Sequence, residues 1–183
     1  MPNSQFLVDT LKTVIQTDLQ SQQSIISYFT SSNLSGGWEA WLQTVFAYRV
    51  FAQRAASDFN REVVYTGTAL RCDLWFQGGT GIWVELKTQR RQNYANTVAD
   101  FANDISKIMG LTTAFRQTNV NVAMAIFKLS NADRASLNDI RNGGPSGTLK
   151  YFLYTASNTW SDVTATISTA QTGLFLLATY RAA

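Results

Sequence analysis

The chain has 183 residues, of which 45% are hydrophobic and 13% aromatic, a composition that excludes an intrinsically disordered protein. Charged residues make up only 15% of the chain, and the net charge of +3 permits a polyanionic partner without requiring one. Histidine is absent and Cys72 is the single cysteine, which excludes an intramolecular disulfide and catalysis by Ser-His-Asp or Cys-His groups.

Two helices and three strands are predicted in the first half of the chain. Apolar residues three and four positions apart predict a helix over residues 4–29. A break rich in serine and glycine at 31–37 separates it from a second helix, predicted from about residue 38 to residue 59. The strands that follow are predicted at residues 62–65, 69–76 and 82–88.

Helices and strands alternate in the second half. The predicted elements are a helix over 95–115, a strand over 120–129, a helix over 131–141 and strands over 149–155 and 173–180. Residues 142–147 predict a glycine-rich turn, whereas the Ser/Thr-rich segment 156–172 has no clear preference.

This order of elements predicts an α/β fold: one three-layer domain over residues 1–183, in which a central mixed β-sheet is flanked by helices. We expect an N-terminal helix over 4–29, a motif core over 38–129 and a C-terminal α/β part over 130–183. No apolar run reaches about 18 residues, and no basic segment precedes an apolar one at the N-terminus. We therefore expect a cytoplasmic protein without membrane contact.

Three charged residues stand out on the two strands around the glycine-rich turn at 77–81. Side chains alternate faces along a strand, so Glu85 and Lys87 point the same way. A tight antiparallel hairpin would bring Asp73 of the first strand towards Glu85. Charges seldom occupy an otherwise apolar sheet unless they are paired or hold a metal.

Oxygen ligands of this kind suit a hard divalent cation. Zinc is disfavoured because it prefers nitrogen and sulfur, whereas Mg²⁺ often takes one or two carboxylates. Asp73 and Glu85 would supply the carboxylates, and the carbonyl of Leu86 a further oxygen. Lys87 would orient a nucleophilic water or stabilise charge on a phosphate, so the set meets the requirements of phosphodiester hydrolysis.

The pattern also resembles a known family. Asp73, followed after eleven residues by Glu85-Leu86-Lys87, resembles the signature of the PD-(D/E)XK nuclease superfamily, although Arg71-Cys72 stands where the family often has proline. Glu39 matches the glutamate that the family often carries on the preceding helix. The resemblance implies a restriction-endonuclease-like fold and an endonuclease that depends on Mg²⁺ or Mn²⁺, with DNA as the expected substrate. It assigns catalytic roles to Glu39, Asp73, Glu85 and Lys87.

Further residues are candidates for contact with the substrate. Arg90 and Arg91 follow the Glu-x-Lys strand and could hold phosphates, or form a solvated charge cluster instead. Gln89 is a further candidate for substrate binding. The family's next helix usually turns polar residues towards the site, a role open to Asp104 and Lys107, which could equally be a simple i,i+3 helical pair.

Other functions remain open at this stage. The charged residues could form a cross-strand salt-bridge network on a solvated sheet face. The fold could then act as a catalytically inactive module that binds nucleic acid or protein, or the chain could be a toxin-type nuclease effector. A homodimer is a further expectation, because two active sites cut both strands of a duplex and the apolar first helix could supply the interface.

Overall fold

The computed structural model describes residues 3–18, 38–53, 56–77, 80–90 and 96–183. Its α-helices are α1 (Ser4–Thr13), α2 (Glu39–Ala52), α3 (Thr97–Met109), α4 (Thr113–Thr118) and α5 (Asn131–Asn142). A π-helical turn over Val14–Asp18 extends α1, and a 3₁₀ helix covers Thr164–Thr169. The strands are β1 (Asp58–Val64), β2 (Arg71–Gln77), β3 (Ile82–Thr88), β4 (Val120–Lys128), β5 (Gly147–Tyr154), β6 (Trp160–Asp162) and β7 (Phe175–Ala182).

One seven-stranded mixed sheet runs through the molecule, in the order β1-β2-β3-β4-β7-β5-β6. β3 and β4 are parallel, and the other neighbouring strands are antiparallel. The parallel pair requires a crossover connection, which α3 and α4 provide. The predicted α/β class with a central mixed sheet is therefore confirmed.

Apolar side chains cover both faces of this sheet. On one face, α1 and α2 pack against alternate residues of the central strands, including Leu86 of β3 and Met124 of β4. On the other face, α3 and α5 pack against the residues in between, such as Ala125 of β4 and Tyr180 of β7. The sheet thus lies between two helical layers. Side chains of β3 on the face covered by α3 can therefore contact residues of that helix.

Several predicted boundaries differ from the observed ones. The second predicted helix ends at Ala52 rather than near residue 59, because Phe59 belongs to β1 and packs edge-on against Phe51. The predicted helix over 95–115 is two helices, since Gly110 ends α3 and the Thr112 hydroxyl caps α4. Residues 19–37, which include the end of the first predicted helix, lie outside the described residues.

Most of the remaining elements agree more closely with the predictions, although β1 begins at Asp58 rather than at residue 62. β3 has the predicted bounds Ile82–Thr88, and β4 ends one residue before its predicted end. The segment without a clear preference contains the three-residue strand β6 and the 3₁₀ helix. Among the helices that the structure describes, none combines the length and apolarity of a membrane span.

Gly147 at the start of β5 allows a close approach that a larger residue would prevent. Its φ is +152°, and an added Cβ would overlap the Arg181 carbonyl and the Tyr180 ring. We expect Gly147→Ala to lower the free energy of unfolding by about 1–3 kcal/mol, because packed backbone has to move. Gly110→Ala is the control, since its nearest contacts are 3.4 Å away and its φ is helical. Urea unfolding compares the two variants, and equal midpoints would contradict this explanation.

Candidate metal centre

The β2–β3 hairpin brings the first two carboxylates together. Leu74 pairs with Val84 and Trp75 with Trp83, so the next positions along the ladder are Asp73 and Glu85. The pairing of β2 with β3 ends at Leu74. Beyond it, the Asp73 carboxylate binds the backbone of β3, because its Oδ2 accepts from the Leu86 N–H at 2.7 Å. The proximity of Asp73 to Glu85 that the sequence predicts is therefore present.

Helix α3 adds the third carboxylate. Asp104 lies on the helix face that covers the sheet and is only 4% exposed. Asp73, Glu85 and Asp104 each offer a carboxylate oxygen within 4.8 Å of those of the other two. The sequence pointed to Asp104 only as one possible member of a polar helix face, three residues before Lys107, and this i,i+3 spacing was the available signal.

Two lysines lie among these carboxylates. Lys87 Nζ is 3.1 Å from Asp73 Oδ2 and 3.5 Å from Asp104 Oδ2. Lys107 Nζ is 2.7 Å from Glu85 Oε1 and 3.4 Å from Asp104 Oδ1. Both lysine side chains are mostly buried, with 23% and 22% exposure respectively, so their charges are shielded only weakly by water.

Tyr65 is a site residue that the sequence did not indicate. Its hydroxyl donates to Glu85 Oε1 at 2.8 Å, and its ring stacks on Trp83 with centroids 5.0 Å apart. Phe115 packs edge-on against the same ring. Tyr65 lies just after β1 and 20 residues before Glu85. No spacing rule connects the two residues, and only the folded sheet brings them together.

Two carboxylate oxygens of the centre have no hydrogen-bond partner among the described residues. These are Glu85 Oε2 and Asp104 Oδ2, both shielded from solvent. A buried carboxylate oxygen without a partner is costly, because it has lost its hydration. Three clustered carboxylates, two of whose oxygens accept no hydrogen bond, form a hard, oxygen-only donor set, which fits Mg²⁺ or Mn²⁺ and disfavours zinc.

Burial and mutual repulsion change the acidities of these groups. Burial, followed by repulsion from Asp104 and Asp73, raises the pKa of Glu85 to about 7. Burial likewise raises the pKa of Asp104 to about 6, although Lys87 and Lys107 oppose it. Both shifts therefore arise first from burial, which disfavours the ionised carboxylates.

The basic and thiol groups shift in a consistent way. Burial alone would lower the pKa of Lys87, but Asp104, Asp73 and Glu39 outweigh it and raise this pKa above its ordinary value. The pKa of Lys107 is raised for the same reason, mainly by its hydrogen bond to Glu85. Burial raises the pKa of Cys72 to about 12, so this buried thiol stays protonated and inert.

Glu39 lies at the start of α2, apart from the three clustered carboxylates. Its Oε2 accepts from the Thr88 N–H at 3.0 Å, and its Oε1 accepts from Arg90 at 2.6 Å. Among the described residues Glu39 is not part of the group that could hold a metal, and the catalytic role expected for it stays a prediction. Its carboxylate secures the end of β3, and its charge still acts on Lys87.

The predicted substrate-binding residues occupy different positions. Gln89 is 1% exposed, and its Oε1 accepts from the Lys128 N–H at 2.7 Å, so its amide links β3 to β4. Arg90 is partly exposed while it pairs with Glu39. Arg91 lies outside the described residues. The Leu86 N–H faces Asp73. The Leu86 carbonyl would have to reach a metal from this same side of the strand.

Comparisons with family models, with curated proteins and with solved structures give no match to this chain.

Proposed function

We propose that this chain is a Mg²⁺- or Mn²⁺-dependent nuclease of the PD-(D/E)XK type, which hydrolyses phosphodiester bonds, with DNA as the expected substrate. One observation carries the proposal: Asp73, Glu85 and Asp104 converge within 4.8 Å, and two of their buried oxygens accept no hydrogen bond from the described residues. A lysine ammonium lies 3.1 Å from Asp73 at the same place. Metal-dependent phosphodiester hydrolysis requires carboxylates that hold the metal ion and a positively charged group that stabilises the phosphate.

The arrangement of the strands supports the restriction-endonuclease-like part of this proposal. The first carboxylate is on β2 and the Glu-x-Lys segment on β3, the next strand of the chain and its neighbour in the sheet. Glu39 begins the helix before them, and α3 follows with polar residues directed at the site. These features match the pattern that suggested the family, in a mixed sheet between helical layers.

Each residue of the centre has a role in this proposal. Asp73, Glu85 and Asp104 would hold the cation, with the carbonyl of Leu86 as a further candidate ligand. A bound cation would polarise a phosphate oxygen and lower the pKa of a water molecule. The raised pKa of Lys87 keeps its ammonium charged, so Lys87 orients the water or stabilises charge on the phosphate rather than acting as a general base.

A panel of labelled substrates tests the proposal. Single- and double-stranded DNA and RNA are incubated with the protein in Mg²⁺, Mn²⁺ or EDTA, beside Lys87→Ala. We expect cleavage with either metal and none in EDTA. We expect Lys87→Ala to be at least about 100-fold slower, because the charge beside the phosphate is lost. Absence of cleavage from every substrate, or equal rates for the parent and Lys87→Ala, would refute the assignment.

A binding module is the second candidate, favoured by the extent of ion pairing. Both lysines contact the carboxylates, and Tyr65 adds a hydrogen bond to Glu85, so the centre could be a structural network that needs no metal. Calorimetric titration with Mn²⁺ separates the candidates, because the module predicts no binding that depends on Asp73 and Glu85. The homodimer, the preference for DNA and the cytoplasmic location stay predictions.

A further inference from the structure

Lys107 is held at three points inside the centre. Its ammonium donates to Glu85 Oε1 at 2.7 Å and to the Arg71 carbonyl at 3.0 Å, and it lies 3.4 Å from Asp104 Oδ1. An ammonium has three donors and no acceptor. Among the described residues Lys107 therefore uses two of its donors in hydrogen bonds, and it has a longer ion pair with Asp104.

Lys87 differs from Lys107 in this respect. Among the described residues it donates one hydrogen bond, to Asp73 at 3.1 Å, and its contact with Asp104 is a longer ion pair of 3.5 Å. Lys87 therefore has one hydrogen bond fewer than Lys107, which leaves it more donor capacity for a phosphate or a water. The two lysines have the same charge but differ in their capacity to donate hydrogen bonds to a substrate.

The contacts of Lys107 also divide the carboxylate oxygens into two sets. Lys107 and Tyr65 both engage Oε1 of Glu85, and Lys107 approaches Oδ1 of Asp104. The oxygens without a hydrogen bond are the opposite ones, Glu85 Oε2 and Asp104 Oδ2. Asp104 Oδ2 still lies 3.5 Å from the Lys87 ammonium, so only its contact with Lys107 is missing. A divalent cation on these two oxygens would therefore bind beside the Lys107 ammonium without displacing it.

We propose that Lys107 is a built-in cation of this centre, which holds Glu85 and Asp104 together without metal and weakens the binding of a divalent cation to Glu85 Oε2 and Asp104 Oδ2. The inference rests on the proposed metal site. With all five groups ionised, the three carboxylates exceed the two ammonium groups by one charge. Removal of Lys107 doubles that excess beside the cation and at the same time leaves Glu85 without its closest ion pair.

Neutral variants of Lys107 test both halves of this proposal. Lys107→Met keeps the length of the side chain, and Lys107→Gln keeps a donor for the Arg71 carbonyl. Lys107→Arg retains the charge, and Lys150→Met on β5 removes a positive charge that lies outside the carboxylate centre. Mn²⁺ affinity is measured at pH 8 by titration calorimetry, and the melting temperature is measured in EDTA.

We expect Mn²⁺ to bind Lys107→Met and Lys107→Gln at least about tenfold more tightly than the parent, because a neighbouring positive charge is gone. Their melting temperatures in EDTA should fall by about 4 °C or more relative to Lys150→Met. Lys107→Arg and Lys150→Met should keep the affinity of the parent. A purely structural lysine would predict the loss of stability without the gain in affinity.

The outcomes separate this inference from the proposed function. If the parent binds Mn²⁺ and cleaves but the neutral variants bind no more tightly, Lys107 is not a competing cation and only this inference fails. If the neutral variants bind Mn²⁺ and the parent does not, the inference is supported and the proposed nuclease loses its metal. If none of the proteins binds Mn²⁺, both are overturned.

Discussion

Replacing Asp104 with asparagine is expected to slow metal-dependent cleavage by about two to three orders of magnitude. Asp104 is the carboxylate that α3 contributes to the cluster, and its Oδ2 is one of the two buried oxygens without a hydrogen bond. Asparagine keeps the shape of the side chain and removes the charge, so the cation would lose one of three anionic ligands. Lys87 would also lose the partner at 3.5 Å that helps to fix its ammonium.

The matched control is Asp100→Asn. Asp100 lies one turn earlier on the same helix and outside the carboxylate cluster, so its loss should leave cleavage and Mn²⁺ affinity unchanged. Cleavage rates, titration calorimetry and a circular dichroism spectrum of each variant complete the comparison. If Asp104→Asn is folded and cleaves as fast as the parent, then Asp104 is not part of the working centre, and the metal site has to be built from Asp73 and Glu85 alone.

The hairpin half of the site was predictable because it depends on local geometry. Asp73, Glu85 and Lys87 lie on two consecutive strands, and the alternation of side chains together with a short turn decides which of them meet. The mixed α/β class was predictable for a similar reason, since the hydrophobic periodicity that indicates a helix or a strand depends on residues close together in the chain.

The helix-borne half was not predictable in the same way. The i,i+3 spacing of Asp104 and Lys107 shows that they share a helix face, but it does not show where that face lands on the sheet. Their position depends on the packing of Phe101, Ile105 and Ile108 against β4 and its neighbours, a long-range contact. Tyr65 is a stronger case, because its link to Glu85 exists only in the folded sheet.

The contacts of Glu39 were not predictable from the sequence either. A glutamate at the start of a helix was correctly located along the chain, yet the sequence could not show which backbone it would reach. In the structure α2 covers the sheet face opposite α3, and the carboxylate is used at the end of β3 by Thr88 and Arg90. Gln89 was likewise placed near the site, but its amide is directed at the backbone of β4.

The metal-free protein is expected to be more stable at pH 5 than at pH 8, by an amount on the order of 2 kcal/mol. Folding raises the pKa of Glu85 from 4.5 to about 7, chiefly through burial. The folded protein therefore binds this proton more tightly than the unfolded chain does. The stabilising contribution is complete below about pH 4.5, and it is lost as the pH rises towards 7. Asp104 adds a contribution of the same sign, lost between about 3.8 and 6.

Glu85→Gln isolates this effect, because glutamine stays neutral at every pH while it can still accept from Tyr65 and Lys107. Urea unfolding in EDTA at pH 5 and pH 8 should show a smaller fall in stability for Glu85→Gln than for the parent. Glu62→Gln, at an exposed position of β1, is the control and should behave like the parent. Mn²⁺ should restore stability at pH 8 in the parent, because the ionised Glu85 carboxylate that destabilises the fold also attracts the cation. It should not do so in Glu85→Gln, which lacks that charge. Equal pH dependence in all three proteins would show that ionisation of Glu85 does not lower the free energy of unfolding. Glu85 Oε2 would then no longer support the assignment of Glu85 as a metal ligand.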